Sequence, residues 1–143
     1  MSHLVTQESV IVDGEALLRT IARLHRRATR DAKLETPALL RLLSLVAELG
    51  PARIGDLAAA DSTSQPTMTA QIQRAESHGW VTRTPDPDDA RASRIELSPA
   101  GQAALAKGRA RRGAAVAPLL DTLGPRDAAT LNRAAAILDK LLT

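Results

Sequence analysis

Asp61-Ser62-Thr63-Ser64 puts four cap- and turn-forming residues in a row between two short apolar periodicities. Such a break dictates two helices joined by a tight turn instead of one long helix. Upstream, Ile54, Leu57 and Ala58 share one face of a short helix over Ile54–Ala60. Downstream, a helix opens at Gln65 or Pro66, where proline suits the first turn. It directs Met68, Ile72 and Ala75 inward and stops at Gly79. Beyond Gly79 the period changes. Residues 80–84 and Ser93–Leu97 read as strands, and the polar run 85–92 between them is too long for a tight hairpin. The expectation is a two-stranded ribbon with a protruding loop.

Longer helical patterns flank this middle portion. Leu17, Ile21, Leu24 and Ala28 recur at helical spacing, widened by Leu18 and Ala22, and predict a helix over about 8–32 with Gly14 a weak spot near its start. Thr36 and Pro37 then read as cap and first position of a second helix carrying Leu39, Leu42, Leu43, Val46 and Leu49, which Gly50-Pro51 ends. After a short segment at 52–54 comes the pair of helices already described. Following the ribbon, Ser98 caps a helix over Pro99–Leu120 in which Gly108 and Gly113 are weak points. Leu123-Gly124-Pro125 breaks the chain before a last helix over about 126–142, with Leu131, Ala134, Ala135, Leu138, Leu141 and Leu142 on one side.

Composition supports a mostly helical, α+β chain. Apolar residues make up 44% of the 143 positions, yet Phe and Tyr are absent and Trp80 is the sole aromatic. An apolar set of Ala, Leu, Ile and Val is enough for one core and favours helix over strand. With no cysteine, disulfides, thiolate metal sites and thiol redox chemistry are excluded. His3, His25 and His78 are too scattered to suggest a metal site, so no cofactor is expected. No apolar run approaches a membrane span, and Met1 to Val12 lacks the pattern of a secretory signal. A cytoplasmic address is therefore expected. P-loop, dinucleotide, zinc-protease and nucleophile-elbow motifs are all missing, which argues against an enzyme.

The middle portion suggests contact with double-stranded DNA. Gln65, Thr67, Thr69, Gln71, Gln73 and Arg74 give the helix after Ser64 an outer face of hydrogen-bonding groups that are neutral or positive. Gln and Arg can bond base edges in pairs, and Thr offers a hydroxyl and a methyl. Ser62, Thr63 and Ser64 lie at the helix start, where free N–H groups and the dipole favour a phosphate. An ordinary solvated, capped helix would carry the same residues. In the ribbon, Arg83, Arg91 and Arg94 are candidates for a minor-groove contact. Asp89, two residues before Arg91, can hold that guanidinium or bond the backbone of its own turn.

Taken in order, Arg74-Ala75-Glu76-Ser77-His78-Gly79-Trp80-Val81-Thr82-Arg83 resembles the end of the recognition helix and first wing strand of the MarR family. Asp86-Pro87-Asp88-Asp89-Ala90-Arg91, continuing through Ile95-Glu96-Leu97-Ser98-Pro99-Ala100-Gly101, is similar to that family's wing signature, with Ser98 in place of the usual Thr. The match is specific from about Leu57 to Leu105. It implies a single winged helix-turn-helix domain over 1–143: a DNA-binding part at about 36–98, and helical dimerisation parts at about 1–35 and 99–143. It also implies that Ser64 to Arg74 enter the major groove, that Arg91 enters the minor groove, and that Asp89 braces the wing. Ala75 stands where the family commonly has a large aliphatic residue, and Trp80 is a candidate to fill the space.

By this resemblance the chain is a homodimeric transcriptional regulator, most simply a repressor, acting on a palindromic operator. It would be modulated by a small, often aromatic or phenolic, effector between its two parts. Val5, Val10, Ile11, Val12, Val116, Leu119, Leu120, Leu123, Leu138, Leu141 and Leu142 are candidates for the dimer contact, unless they pack on their own core. His25, Arg26 and Arg30 could meet an anionic effector or form a solvated basic face. From Gly50 to Leu97 five arginines (53, 74, 83, 91, 94) face seven acids (56, 61, 76, 86, 88, 89, 96), so this stretch is net −2 in a chain of net +3. DNA binding would then be modest or depend on a few well-placed arginines. The alternative is a winged-helix module used for protein contact alone.

Overall fold

In the computed structural model, residues 11–143 are described. The order is α1 (Gly14–Asp31), α2 (Pro37–Leu49), β1 (Ala52–Arg53), α3 (Ile54–Ala60), α4 (Gln65–Ser77), β2 (Val81–Pro85), β3 (Ser93–Leu97), α5 (Pro99–Leu120) and α6 (Pro125–Leu142). The expected helices are all present. The first is shorter than its periodicity suggested, because Asp13 accepts a hydrogen bond from the Ala16 amide at 3.0 Å and caps the helix at Gly14. Glu8, Val5 and Val10 lie outside the described residues.

Sheet topology corrects one expectation. The ribbon is three-stranded, in the order β1-β3-β2, with both pairings antiparallel. Ala52 and Arg53 pair with Ile95 and Arg94, so the short segment before α3 is an edge strand. Two residues carry too little period-2 signal to be read as a strand from sequence.

α2 is the centre of the core. Leu39, Leu43 and Val46 are almost wholly excluded from solvent, and α2 packs against α3, α4, α5 and β3. Leu57 from α3, Met68, Ile72 and Ala75 from α4, Val81 from β2, Ile95 from β3 and Leu105 from α5 close around it. Each fully buried large side chain contributes about 1.5–3 kcal/mol relative to exposure. Leu49, expected on the same stripe, is instead 45% exposed at the end of α2. Trp80 is half-buried against this cluster and stacks on His78, with ring centroids 4.3 Å apart. Ala75 is fully buried, so a small residue suffices at that point.

The hinge between ribbon and α5 is equally close-packed. Ser98 caps α5 by accepting from the Gly101 amide at 3.0 Å, and its hydroxyl donates to the Gly79 carbonyl. Its own amide donates to the Trp80 carbonyl at 3.0 Å. A Cβ at Gly101 would lie 1.9 Å from that Trp80 oxygen, and one at Gly108 would lie 2.6 Å from a methyl carbon of Leu40. Gly108, which reads as a weak point in the helix, is thus a site of close approach, as is Gly101, whereas a Cβ at Gly113 would meet nothing within 4 Å. A backbone oxygen held by the Ser98 amide at the edge of the ribbon cannot move aside as a side-chain methyl can. Gly101→Ala is expected to cost about 2–3 kcal/mol in denaturant unfolding, and a variant as stable as wild type would refute the contact.

Candidate nucleic-acid interface

Helix α4 begins where its capping chemistry dictates. Ser64 accepts from the Thr67 amide at 3.2 Å and donates its hydroxyl to Thr67 Oγ1 at 2.8 Å. Ser62 takes the left-handed conformation (φ 53°) that lets the chain turn between α3 and α4, and the Thr63 amide donates back to the Ala58 carbonyl. With Met68, Ile72 and Ala75 buried, the other side of α4 faces outward. Ser62, Ser64, Gln65, Thr67, Gln73 and Arg74 are exposed, whereas Thr63, Thr69 and Gln71 are half-buried. None of the residues singled out on this segment is buried.

The wing is organised by a residue absent from the sequence-derived candidate set. Asp86 is 4% exposed. Its Oδ2 accepts from Arg53 Nε at 2.7 Å and from Arg94 Nε at 3.0 Å. Oδ1 accepts from Arg53 Nη2 at 3.0 Å and from the amides of Asp88 and Asp89 at 2.8 and 3.2 Å. The Asp86 amide closes the loop by donating to the Ala92 carbonyl at 3.1 Å. One carboxylate thus ties β1, β3 and the loop together. The Arg53 hydrogen bond, helped by the Asp88 amide and Arg94, outweighs burial and holds this carboxyl far below the usual carboxylate range. The same bond raises the Arg53 guanidinium.

The structure gives two of the candidate residues partners inside the wing. Arg94 is turned into the clasp, bonded to Asp86 and 3.7 Å from Asp88, so its guanidinium serves the wing's own geometry. Asp89 does not hold the Arg91 guanidinium; it accepts the Arg91 backbone amide at 2.9 Å, the turn-bonding alternative. Arg83 pairs with Glu76 across α4 and β2. Arg91 and Arg74 are exposed and make no ion pair among the described residues.

Gln65, Arg83 and Arg91 come together nonetheless. They line one open cleft of about 350 Å³ with Arg53, Ile54, Gly55, Asp56, Ala92 and Ser93. The start of α4 and the arginine-bearing ribbon therefore present toward the same side. Arg53 and Asp86 were missed because the partners stand 33 residues apart, and no local spacing announces the pair. No group of His, Asp or Glu fit to hold a metal occurs among the described residues.

Residues 36–93 match the model of the MarR family. Similar folds include a protein described as a transcriptional regulator from Pseudomonas aeruginosa PA01, with 27% identity over 90% of this chain and 93% of that one, and a TM-score of 0.73. A transcriptional regulator from Thermotoga maritima gives 27% identity, 90% and 92% coverage and a TM-score of 0.68. Wild-type MarR from E. coli gives 21%, 94% and 98% coverage and 0.71. No curated protein sequence matches. The family model and these structures agree on a winged-helix fold of the kind used by MarR-family transcriptional regulators, which are not enzymes.

The clasp has a pH signature. Asp86 is more acidic folded than unfolded, so its contribution is present above the unfolded pKa of about 4 and is lost as pH falls below it. Asp86→Asn should be less stable than wild type at pH 7. That gap in urea midpoint should narrow steadily below about pH 4. A gap independent of pH would show that the ionised form is not what matters.

Proposed function

We propose that this chain, MarR-like in sequence over residues 36–93 and in fold over nearly its whole length, is a sequence-specific DNA-binding regulator that works as a homodimer. The observation that carries this reading is the shared cleft: Gln65 at the start of α4 and Arg91 in the wing border the same opening. A duplex laid there would take the outer face of α4 in its major groove and the wing loop in its minor groove. Ser62, Thr63 and Ser64 then meet phosphates. Gln65, Thr67, Thr69, Gln71 and Arg74 meet base edges, Arg91 reaches into the minor groove, and Arg83 lies between them. Asp89 and Arg94 act behind Arg91, keeping the loop in shape. The division into a DNA-binding part at about 36–98 and helical dimerisation parts on either side belongs to the same reading, as do a cytoplasmic address and repression through an effector-sensitive dimer. Among the described residues no helix is long and apolar enough to cross a membrane.

Unpartnered apolar surface supports the dimer. Leu131, Ile137, Leu141 and Leu142 on α6 are 49–86% exposed, and among the described residues α6 makes no substantial packing contact with another element. An amphipathic helix of 18 residues left in this state is expected to find cover. Ile11, Val12 and Leu120 are exposed as well, whereas Val116, Leu119, Leu123 and Leu138 are half-buried. A two-fold axis would set two wings and two α4 helices about one DNA turn apart.

Selection of bound duplexes from a random pool tests the reading directly: an inverted repeat is expected, and recovery of no preferred sequence would favour a protein-contact module. On the recovered site, Arg91→Ala is expected to weaken binding while leaving the thermal midpoint unchanged; equal affinity at matched salt would remove Arg91 from the interface. Gln71→Ala and Arg74→Ala are each expected to relax preference at particular base pairs by about 1–3 kcal/mol. A uniform loss across sequences would move that side chain to a phosphate.

A further inference from the structure

The winged helix carries a small negative charge, so the positive charge of this protein sits elsewhere, and α1 holds much of it. Arg19, Arg23, Arg26, Arg27 and Arg30 all lie on this helix. At about 100° per residue they fall within an arc of about 100°. Leu17, Ile21, Leu24 and Ala28 occupy the other side, and Ile21, Leu24 and Ala28 border Ser44 of α2 and Gly113 and Val116 of α5. The arginine side therefore lies away from α2, with Leu119 of α5 at its edge. Along it runs an open groove of about 580 Å³, lined by Thr20, Arg23, Arg26, Arg27 and Arg30, with Leu24 and Leu119 as its apolar part.

We infer that this face of α1 is a second, sequence-independent nucleic-acid contact, which takes the sugar-phosphate backbone of duplex outside the footprint of the winged helix. The inference rests on the DNA-binding reading and adds a surface to it. Arg23 and Arg26 are exposed and have no ion pair among the described residues. Arg19, Arg27 and Arg30 pair only with Glu15 and Asp31 on their own helix, with 54–73% of each arginine side chain exposed. Such pairs are weak and exchange readily for phosphates, which guanidinium groups bind in bidentate fashion. From Arg19 to Arg30 the helix rises about 16 Å, enough to follow several successive phosphates.

Charge complementarity selects this occupant over a second copy of the chain. α5 carries Lys107, Arg109, Arg111 and Arg112 and no acid, and α6 carries Arg126, Arg133 and Lys140 against Asp127 and Asp139. A copy packing through those helices would bring more positive charge. A lipid surface fits less well too, because interfacial helices bury their apolar side in the headgroups, and here that side is turned toward α2 and α5.

The test compares the salt dependence of binding to a random-sequence duplex several helical turns long. Wild type is set against Arg23→Gln/Arg26→Gln, against Arg126→Gln/Arg133→Gln as a charge-matched control, and against Arg91→Ala in the wing. Losing the two α1 arginines is expected to flatten the slope of log affinity on log salt by about 0.9 for each charge. Between 50 and 200 mM salt the wild type then loses about tenfold more affinity than that variant. The α6 pair should leave the slope unchanged, and circular dichroism should show all the variants folded. A slope unaltered by the α1 pair, with Arg91→Ala still weakening binding, would overturn this surface alone. Equal flattening by the α6 pair would also overturn it, by reducing the effect to net charge. A wild type that binds no duplex would overturn the DNA reading together with it.

Discussion

A carboxylate withdrawn from water needs donors for its lone pairs, and Asp86 finds five: three N–H groups from two guanidiniums and two backbone amides. Those bonds determine the shape of the wing. β1 is too short to hold its place by ladder hydrogen bonds alone, and the residue it contributes to the clasp, Arg53, is also the one that precedes α3. The carboxylate therefore couples the start of the helix-turn-helix to the tip of the ribbon. The loop's projection and the aim of Arg91 follow from it.

The same clasp decides which charges of this net negative stretch are already committed within the fold. A sum of formal charges treats every side chain as equally available. In the fold, Arg53 and Arg94 are neutralised inward by Asp86, and Arg83 is occupied by Glu76. Asp61 is met by Arg41 from α2, 20 residues away. Within this stretch the exposed arginines with no ion pair among the described residues, Arg74 and Arg91, stand on α4 and the wing loop. In the proposed DNA-binding reading, so few unpaired cations suit discrimination between sequences better than raw electrostatic affinity, and the arginine face of α1 would supply the latter.

The periphery differs from the centre in what holds it. α2 is surrounded by α3, α4, α5 and β3, so the winged helix has a core of its own. α1 rests on α5 with no fully buried residue, and α6 likewise buries none. Their apolar stripes are strong enough to make helices, and among the described residues Leu18, Leu131, Ile137, Leu141 and Leu142 stay exposed. Propensity and periodicity account for these helices; in the proposed dimer a second copy would cover the stripes.

How much of this was legible depended on range. Helix starts at Pro37, Gln65 and Pro99, the turn at Asp61–Ser64, and the inward faces of α2 and α4 could all be read from neighbours a few residues apart, because caps, proline and helical period act over one or two turns. The outward set from Ser64 to Arg74 followed from the same period. The third strand, the clasp of Asp86 with Arg53 and Arg94, and the pairing of Arg83 with Glu76 were not legible, since each joins residues whose separation in sequence has no local signature. Gly108 reads as a weak point for a related reason: a glycine's cost in a helix is local, whereas its benefit here is the close approach of Leu40 from another element. The chain by itself determined which elements form and which faces they bury. Tertiary packing decided which of its charged groups remain free to meet a partner, because a buried carboxylate takes the nearest guanidiniums whatever their distance along the sequence.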